Sequence, residues 1–237
     1  NDGGIGMLKA LGYQFSAENG QDIGEGGQAL DRVSSIIIDN VNPLLKECSF
    51  QIACDVTNPL CGKNGATYIY GPQKGVTLEM AEKLDQAMSH YASVTSEFLH
   101  NDYASAEGAG AAGGLGFAFL SYLNATLTPG IDLTLNAVEL EKELKDADIT
   151  VTGEGRLDHQ TAMGKAPVGV AKLAKKYGSK VVAFAGSVTP EATACNVAGI
   201  DAFFPIVRGI TTLAEAMEPE NAKANMAATV EQVFRLL

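Results

Sequence analysis

The clearest alternation of apolar and polar positions lies in the last ninety or so residues. Short apolar runs at 149–152, 181–185 and 202–207 are separated by amphipathic segments at 167–176 and 190–198, with further helical patterns at 213–217 and 221–237. The runs predict strands and the segments predict helices. Pro167 suits a first helical turn, where its missing N–H costs nothing. Strand–helix alternation predicts βαβ units and a parallel sheet, and strands apolar nearly throughout predict helices on both faces. Open sheets of this kind usually have about five or six strands, so a set of three is short. The sheet is expected to draw strands from the first half, or to lack strands that this chain does not carry. The first residue, Asn1 rather than Met, favours the second expectation.

The first half is less regular. A short helix is predicted from Ile5 to Leu11, then a polar surface excursion from Tyr13 to Gly27, and strands at 33–38 and 50–56. Turn residues crowd the segment 57–75, which reads as a long structured loop of the kind that carries function. Apolar spacing through Leu78, Ala81, Leu84, Met88, Tyr91 and Val94 predicts a helix over 77–99. The glycine-rich run 108–114 leads into another helix ending near Leu123, and 135–144 predicts one more.

Composition narrows the function classes. The 237 residues are 46% apolar and 19% charged, an ordinary globular balance for one large domain or two modest ones. Net charge is −11 with no dense run of Lys or Arg, which argues against nucleic acid and membrane surfaces as partners. The most apolar stretch, 108–123, holds several glycines and lacks basic flanks, so no membrane span is expected there. No signal-peptide pattern is present. Cys48, Cys54, Cys61 and Cys195 form no C-x-x-C pair and no zinc spacing with His90, His100 or His159. They are expected to be reduced, mostly buried thiols of a cytoplasmic protein.

Three segments carry candidate chemistry. Thr152-Gly153-Glu154-Gly155-Arg156-Leu157-Asp158 follows a predicted strand and precedes a helix, placing it at the carboxyl edge of a parallel sheet, where ligands bind. Glu154 and Asp158 could hold a cation or accept a proton, Arg156 could clamp an anion, and Lys165 could neutralise a phosphate. The same residues would also serve as a solvated turn with a local ion pair. In the second segment, 53–60, Asp55 follows an apolar strand and could act on magnesium or a hydroxyl, or simply cap a turn. Gly71-Pro72-Gln73-Lys74-Gly75 returns on the same loop with a cation. In the third, the run 108–114 could offer backbone N–H groups to an anion, or allow close helix packing. The polar segment before it is not a strand, so it fails the context of a dinucleotide fingerprint. The chain has no G-x-x-x-x-G-K-S/T loop, G-x-S-x-G elbow or protein-kinase loop set.

In order along the chain, the motifs resemble those of the glycerate kinase family. Asn1-Asp2-Gly3-Gly4-Ile5-Gly6-Met7 resembles the end of its glycine- and serine-rich motif. The segments 53–60, 71–75, 108–114 and 152–158, the last with Gln160-Thr161 and Gly164-Lys165, match four more. The resemblance implies an α/β fold: a flavodoxin-like parallel-sheet domain, with its C-terminal part at 147–237, plus an inserted mixed α/β domain making up most of 1–146. It also implies that the family's N-terminal strands and its D-S-F/Y-K-G/E-S-type loop are absent. The implied reaction is transfer of the γ-phosphoryl group of ATP to D-glycerate, with Mg2+, giving 2-phosphoglycerate or 3-phosphoglycerate. The alternatives are a non-catalytic sugar-acid sensor and a kinase of another short hydroxy acid. The implied site residues are Asp55, Asp158, Arg156 and Lys74 for catalysis, with Asp55 or Asp158 as the magnesium ligand. Asp2, Gly3, Asn58, Gln73, Gly108, Gly110, Gly113, Gly153, Glu154, Gly155, Gln160, Thr161 and Lys165 are implied for substrate or nucleotide. A homodimer is among the assemblies the resemblance allows.

Overall fold

A computed structural model describes residues 1–236. The chain divides into two compact units, Asn1–Gly130 and Ile131–Leu237. The division falls ahead of the boundary expected near 146, because residues 131–144 pack against later parts of the chain. Ile131 lies against Gly169, and Leu144 joins a core with Val168 and Ala171.

The first unit contains α1 (Ile5–Ala10), β1 (Gln14–Ser16), β2 (Ser35–Ile37), β3 (Gln51–Ala53), α2 (Ala66–Tyr70), α3 (Leu78–Leu99), α4 (Ala111–Leu123) and β4 (Thr126–Thr128). β1 pairs antiparallel with β2, and β3 pairs parallel with β4. The segment 13–27 is a surface excursion only in part: 18–22, 25 and 26 are exposed. Phe15 and Ile23 are buried, and Tyr13 nearly so, because β1 runs through the unit's core. Tyr91 of α3 anchors that core, meeting Phe15 edge-on at 6.1 Å and Phe117 of α4 at 5.5 Å. Each such ring contributes about 1.5–3 kcal/mol by burial. α3 starts where Thr77 caps it, its hydroxyl accepting from the Met80 N–H at 3.3 Å. Leu78, one position in, is exposed rather than part of the buried stripe. α2 breaks the expected long loop 57–75, because Gly65 opens a helical turn that buries Ala66 and Thr67.

The second unit contains α5 (Gly130–Ala137, its first residue being the last of the first unit), α6 (Leu140–Leu144), β5 (Ile149–Leu157), α7 (His159–Ala162), α8 (Ala166–Lys175), β6 (Lys180–Val188), α9 (Ala194–Val197), β7 (Ala202–Pro205), α10 (Leu213–Met217) and α11 (Pro219–Phe234). The helix expected over 135–144 is two, parted at Glu139, whose φ of 52° is left-handed. The sheet order is β5-β6-β7, all parallel. Central β6 is buried on both faces, as its unbroken apolar run predicts. Val181, Ala183 and Ala185 face Val168, Ala171 and Ala174 of α8, while Val182 and Phe184 join Val233 of α11. β5 is longer than its apolar run predicts, because pairing with β6 continues through Leu157↔Val188. The segment 153–157 is therefore strand, and the turn into the next helix begins only at Asp158.

All four cysteines are free, but only Cys195 is buried; Cys48 is exposed, and Cys54 and Cys61 are half-buried. Burial pushes the Cys61 thiol up to about 12, with help from Asp85 nearby. Among the described residues, no helix is long and apolar enough to cross a membrane.

Candidate functional site

Within the first unit, the four motifs that lie far apart in sequence come together. The Gly3 N–H donates to Gly113 O at 3.1 Å, and a Cβ on Gly114 would stand 2.6 Å from Gly3 Cα. Only glycines allow these two turns to touch. Ala112, Gly113 and Gly114 are all left-handed, so the run 108–114 coils tightly ahead of the regular part of α4. The Gly110 N–H donates to Asn58 O at 2.9 Å, and Gly108 brings its backbone against Cys54 and Leu127. Asn58 is held by its own side chain, which donates to Asn64 O at 2.9 Å and accepts from the Tyr70 hydroxyl at 2.6 Å.

Lys74 donates to Asn1 Oδ1 at 2.6 Å, and Asn1 in turn donates to Ala66 O at 2.9 Å. The ammonium thus stands at the join between the first and third motifs, while Gln73 beside it is exposed. Asp2 has a structural task. Its two carboxylate oxygens accept from the N–H groups of Gly4 and Gly6 and so cap the start of α1. Asp55 follows β3 at the surface. Its Oδ1 accepts from the Gly130 N–H at 2.8 Å, and Oδ2 has no hydrogen bond among the described residues. Tyr70 escapes sequence reasoning because a tyrosine in a loop carries no pattern, although it immediately precedes the motif 71–75.

Within the second unit, Glu154, Arg156, Asp158, Thr161 and Lys165 form one cluster. Asp158 caps α7, accepting at Oδ1 from the N–H groups of Gln160 (2.9 Å) and Thr161 (3.3 Å). Thr161 closes the capping box, its hydroxyl accepting from the Asp158 N–H at 3.2 Å and donating to Glu154. Arg156 Nε lies 3.8 Å from Asp158 Oδ2, and Lys165 Nζ lies 3.9 Å from Oδ1. Desolvation pushes the Asp158 carboxyl up. The Thr161 N–H, Lys165, the Gln160 N–H and Arg156 together outweigh that and hold it below its ordinary range. Gly153 and Gly155 lie on β5, where Gly153 lets the strand approach Phe184 O on β6.

Among the described residues, no group of three or more His, Cys, Asp or Glu side chains gathers at metal-ligating distance. Magnesium needs less when phosphates complete its shell, commonly one or two carboxylates and several waters. Asp55, with one free oxygen, fits that demand better than Asp158, whose carboxylate already has two amide donors and two cations.

The profile of the glycerate kinase family matches residues 1–237. The chain belongs to that family. It is 47% identical over 218 residues to the glycerate kinase of Bacillus subtilis (strain 168), covering 92% of this chain and 57% of that protein. It is 45% identical over 235 residues to the glycerate 2-kinase of Escherichia coli (strain K12), covering 97% and 62%. A solved structure from Salmonella typhimurium LT2, named as a glycerate kinase 2 candidate, superimposes with a TM-score of 0.82 at 42% identity, over 100% of this chain and 63% of that one. The chain thus spans about three-fifths of the length of these family members, and over that span the α/β fold with parallel strands is shared.

Proposed function

We propose that the protein is an ATP-dependent glycerate kinase that phosphorylates D-glycerate to 2-phosphoglycerate. The observation that carries this reading is the cluster on β5 and α7 at the carboxyl edge of a parallel sheet, in a chain of the glycerate kinase family. The choice of the 2-position is supported by the name of the Escherichia coli relative.

Geometry supports each proposed role. Phosphoryl transfer needs positioning and charge neutralisation more than covalent chemistry. Arg156 offers a planar fork suited to a carboxylate, and it is loosely held at 3.8 Å from Asp158 and mostly exposed, so it is free to turn to substrate. Lys165 and Lys74 are compact cations suited to phosphate oxygens. Asp158, held below the usual carboxylate range, stays ionised at neutral pH and keeps a negative charge beside both cations of its cluster. Asp55 keeps an uncommitted oxygen for the attacking hydroxyl or for the magnesium ion. Magnesium, when bound, supplies charge neutralisation across the phosphates.

The test is ADP release by the protein at the relatives' full length, with D-glycerate and magnesium-ATP, and NMR assignment of the phosphorylated carbon. Release with D-glycerate and phosphate on C2 supports the proposal. Release only with a different short hydroxy acid, or glycerate binding with no ADP formed, overturns it in favour of a related kinase or a sensor.

A further inference from the structure

Asp55 and Lys74 sit on different segments of the first unit, and one hydrogen bond between two uncharged side chains joins those segments. The Tyr70 hydroxyl donates to Asn58 Oδ1 at 2.6 Å. Asn58 follows Asp55 by three positions, and Tyr70 precedes Lys74 by four. Both ends of this bond are stiff, so it can fix one segment against the other.

The Asn58 end is pinned by its own backbone and side chain. Its carbonyl accepts from the Gly110 N–H at 2.9 Å, and its amide nitrogen donates to Asn64 O at 2.9 Å. Pro59 then restricts the backbone on its other side. An amide flip would give up the bonds to Asn64 and Tyr70 together, because donor and acceptor would exchange places.

The Tyr70 end is a short helix running into a tight turn. Tyr70 is the last residue of α2, and at the start of α2 the Ala66 N–H donates to Leu60 O at 3.0 Å. After Tyr70, the Lys74 N–H donates to Gly71 O at 2.8 Å, the Gly75 N–H to Pro72 O at 3.0 Å and the Val76 N–H to Gly71 O at 3.1 Å. A Cβ on Gly71 would stand 2.2 Å from Thr67 O, so the turn is seated directly on α2. The end of α2 therefore sets the direction in which Lys74 leaves the turn. Tyr70 is half-buried there. Desolvation, with Cys54 close by, pushes its phenol up, so the hydroxyl keeps the proton it donates.

We propose that Tyr70 is a positioning residue, whose hydrogen bond to Asn58 holds the turn bearing Lys74 in a fixed place relative to the segment bearing Asp55. The proposal rests on the kinase reading, in which both charged groups act on the transferring phosphoryl group. Groups of that kind lose rate when displaced, by as much as about 10²-fold for a shift of about 1 Å. The loss of one neutral hydrogen bond should cost about tenfold.

The test is steady-state kinetics of the full-length protein together with hydrogen exchange across 71–76. Tyr70→Phe removes the hydroxyl and keeps the ring. It should lower kcat about tenfold, leave KM for D-glycerate and for ATP within about twofold, and quicken exchange in 71–76. On a Lys74→Met background the same substitution should cost little more, because Tyr70 acts through Lys74. A tyrosine with a structural role alone would cost the same factor on both backgrounds. Equal losses on both, an unchanged kcat, or unchanged exchange in 71–76 would overturn the proposal. The two readings fail separately. Glycerate-dependent ADP release that Tyr70→Phe leaves unchanged removes the positioning role and spares the kinase. No release by the unsubstituted protein, with exchange in 71–76 still quickened by Tyr70→Phe, removes the kinase and spares the hold on the Lys74 turn.

Discussion

Thr161→Val removes one hydroxyl from the β5–α7 cluster and leaves the side-chain volume nearly unchanged. Thr161 is fully buried, and its hydroxyl joins the Asp158 N–H to the Glu154 carboxylate. Breaking a capping box costs about 1 kcal/mol. A half-buried carboxylate deprived of its donor adds about 1–2 kcal/mol, the lower part of the range for buried groups. The sum, about 2–3 kcal/mol, lowers a melting midpoint by roughly 4–12 °C for a chain of this size. Thermal melts followed by far-UV circular dichroism read this, with Thr161→Ser as the control that keeps the hydroxyl. The serine variant should fall by markedly less than the valine variant. If both fall equally, or if Thr161→Val melts within about 1 °C of the unsubstituted chain, the hydroxyl bridge does not hold the cluster as described.

Other consequences are equally direct. Gly114→Ala puts a side chain at a φ of 99° with its Cβ 2.6 Å from Gly3 Cα, which should cost about 2–4 kcal/mol by urea denaturation. Ala112→Gly should not destabilise, because Ala112 is already left-handed at φ 49°; a lowered urea midpoint would contradict that backbone. The Asp158 carboxyl is held below its ordinary value of 3.8, so its stabilising effect is complete above that pH and is lost as pH falls through the folded pKa. Asp158→Asn should therefore melt below the unsubstituted chain at pH 7 and approach it as pH falls well below that ordinary value, and a gap that widens on acidification would refute the shift. On the proposed kinase reading, Lys74→Met in the full-length protein should lower glycerate-dependent kcat/KM by about 10²-fold, the usual effect of losing a charge aimed at the transition state, with the melting midpoint nearly unchanged.

The helical and sheet pattern of the second unit was legible because β6 and α8 each bury what their periodicity says they bury. The extent of β5 was not, because Gly153 and Gly155 read as turn residues, and only pairing with β6 makes them strand. In the first unit, Phe15 and Ile23 sit among polar neighbours, and only tertiary packing reveals that they are core. The glycine clusters announced close backbone approach, but not that Gly3 and Gly114 approach each other. Glu154, Arg156, Asp158 and Lys165 were legible as a group because a short spacing across one βα junction keeps them together.

The central claim is phosphoryl transfer to glycerate by residues of these motifs. Its most direct test is the rate of ADP release by the full-length protein given D-glycerate and magnesium-ATP, with Asp55→Asn and Asp158→Asn measured beside it. Glycerate-dependent release, lowered by about 10² or more in at least one of the two variants, is the expected result. No glycerate-dependent release, or near-unchanged kcat in both variants, would contradict it.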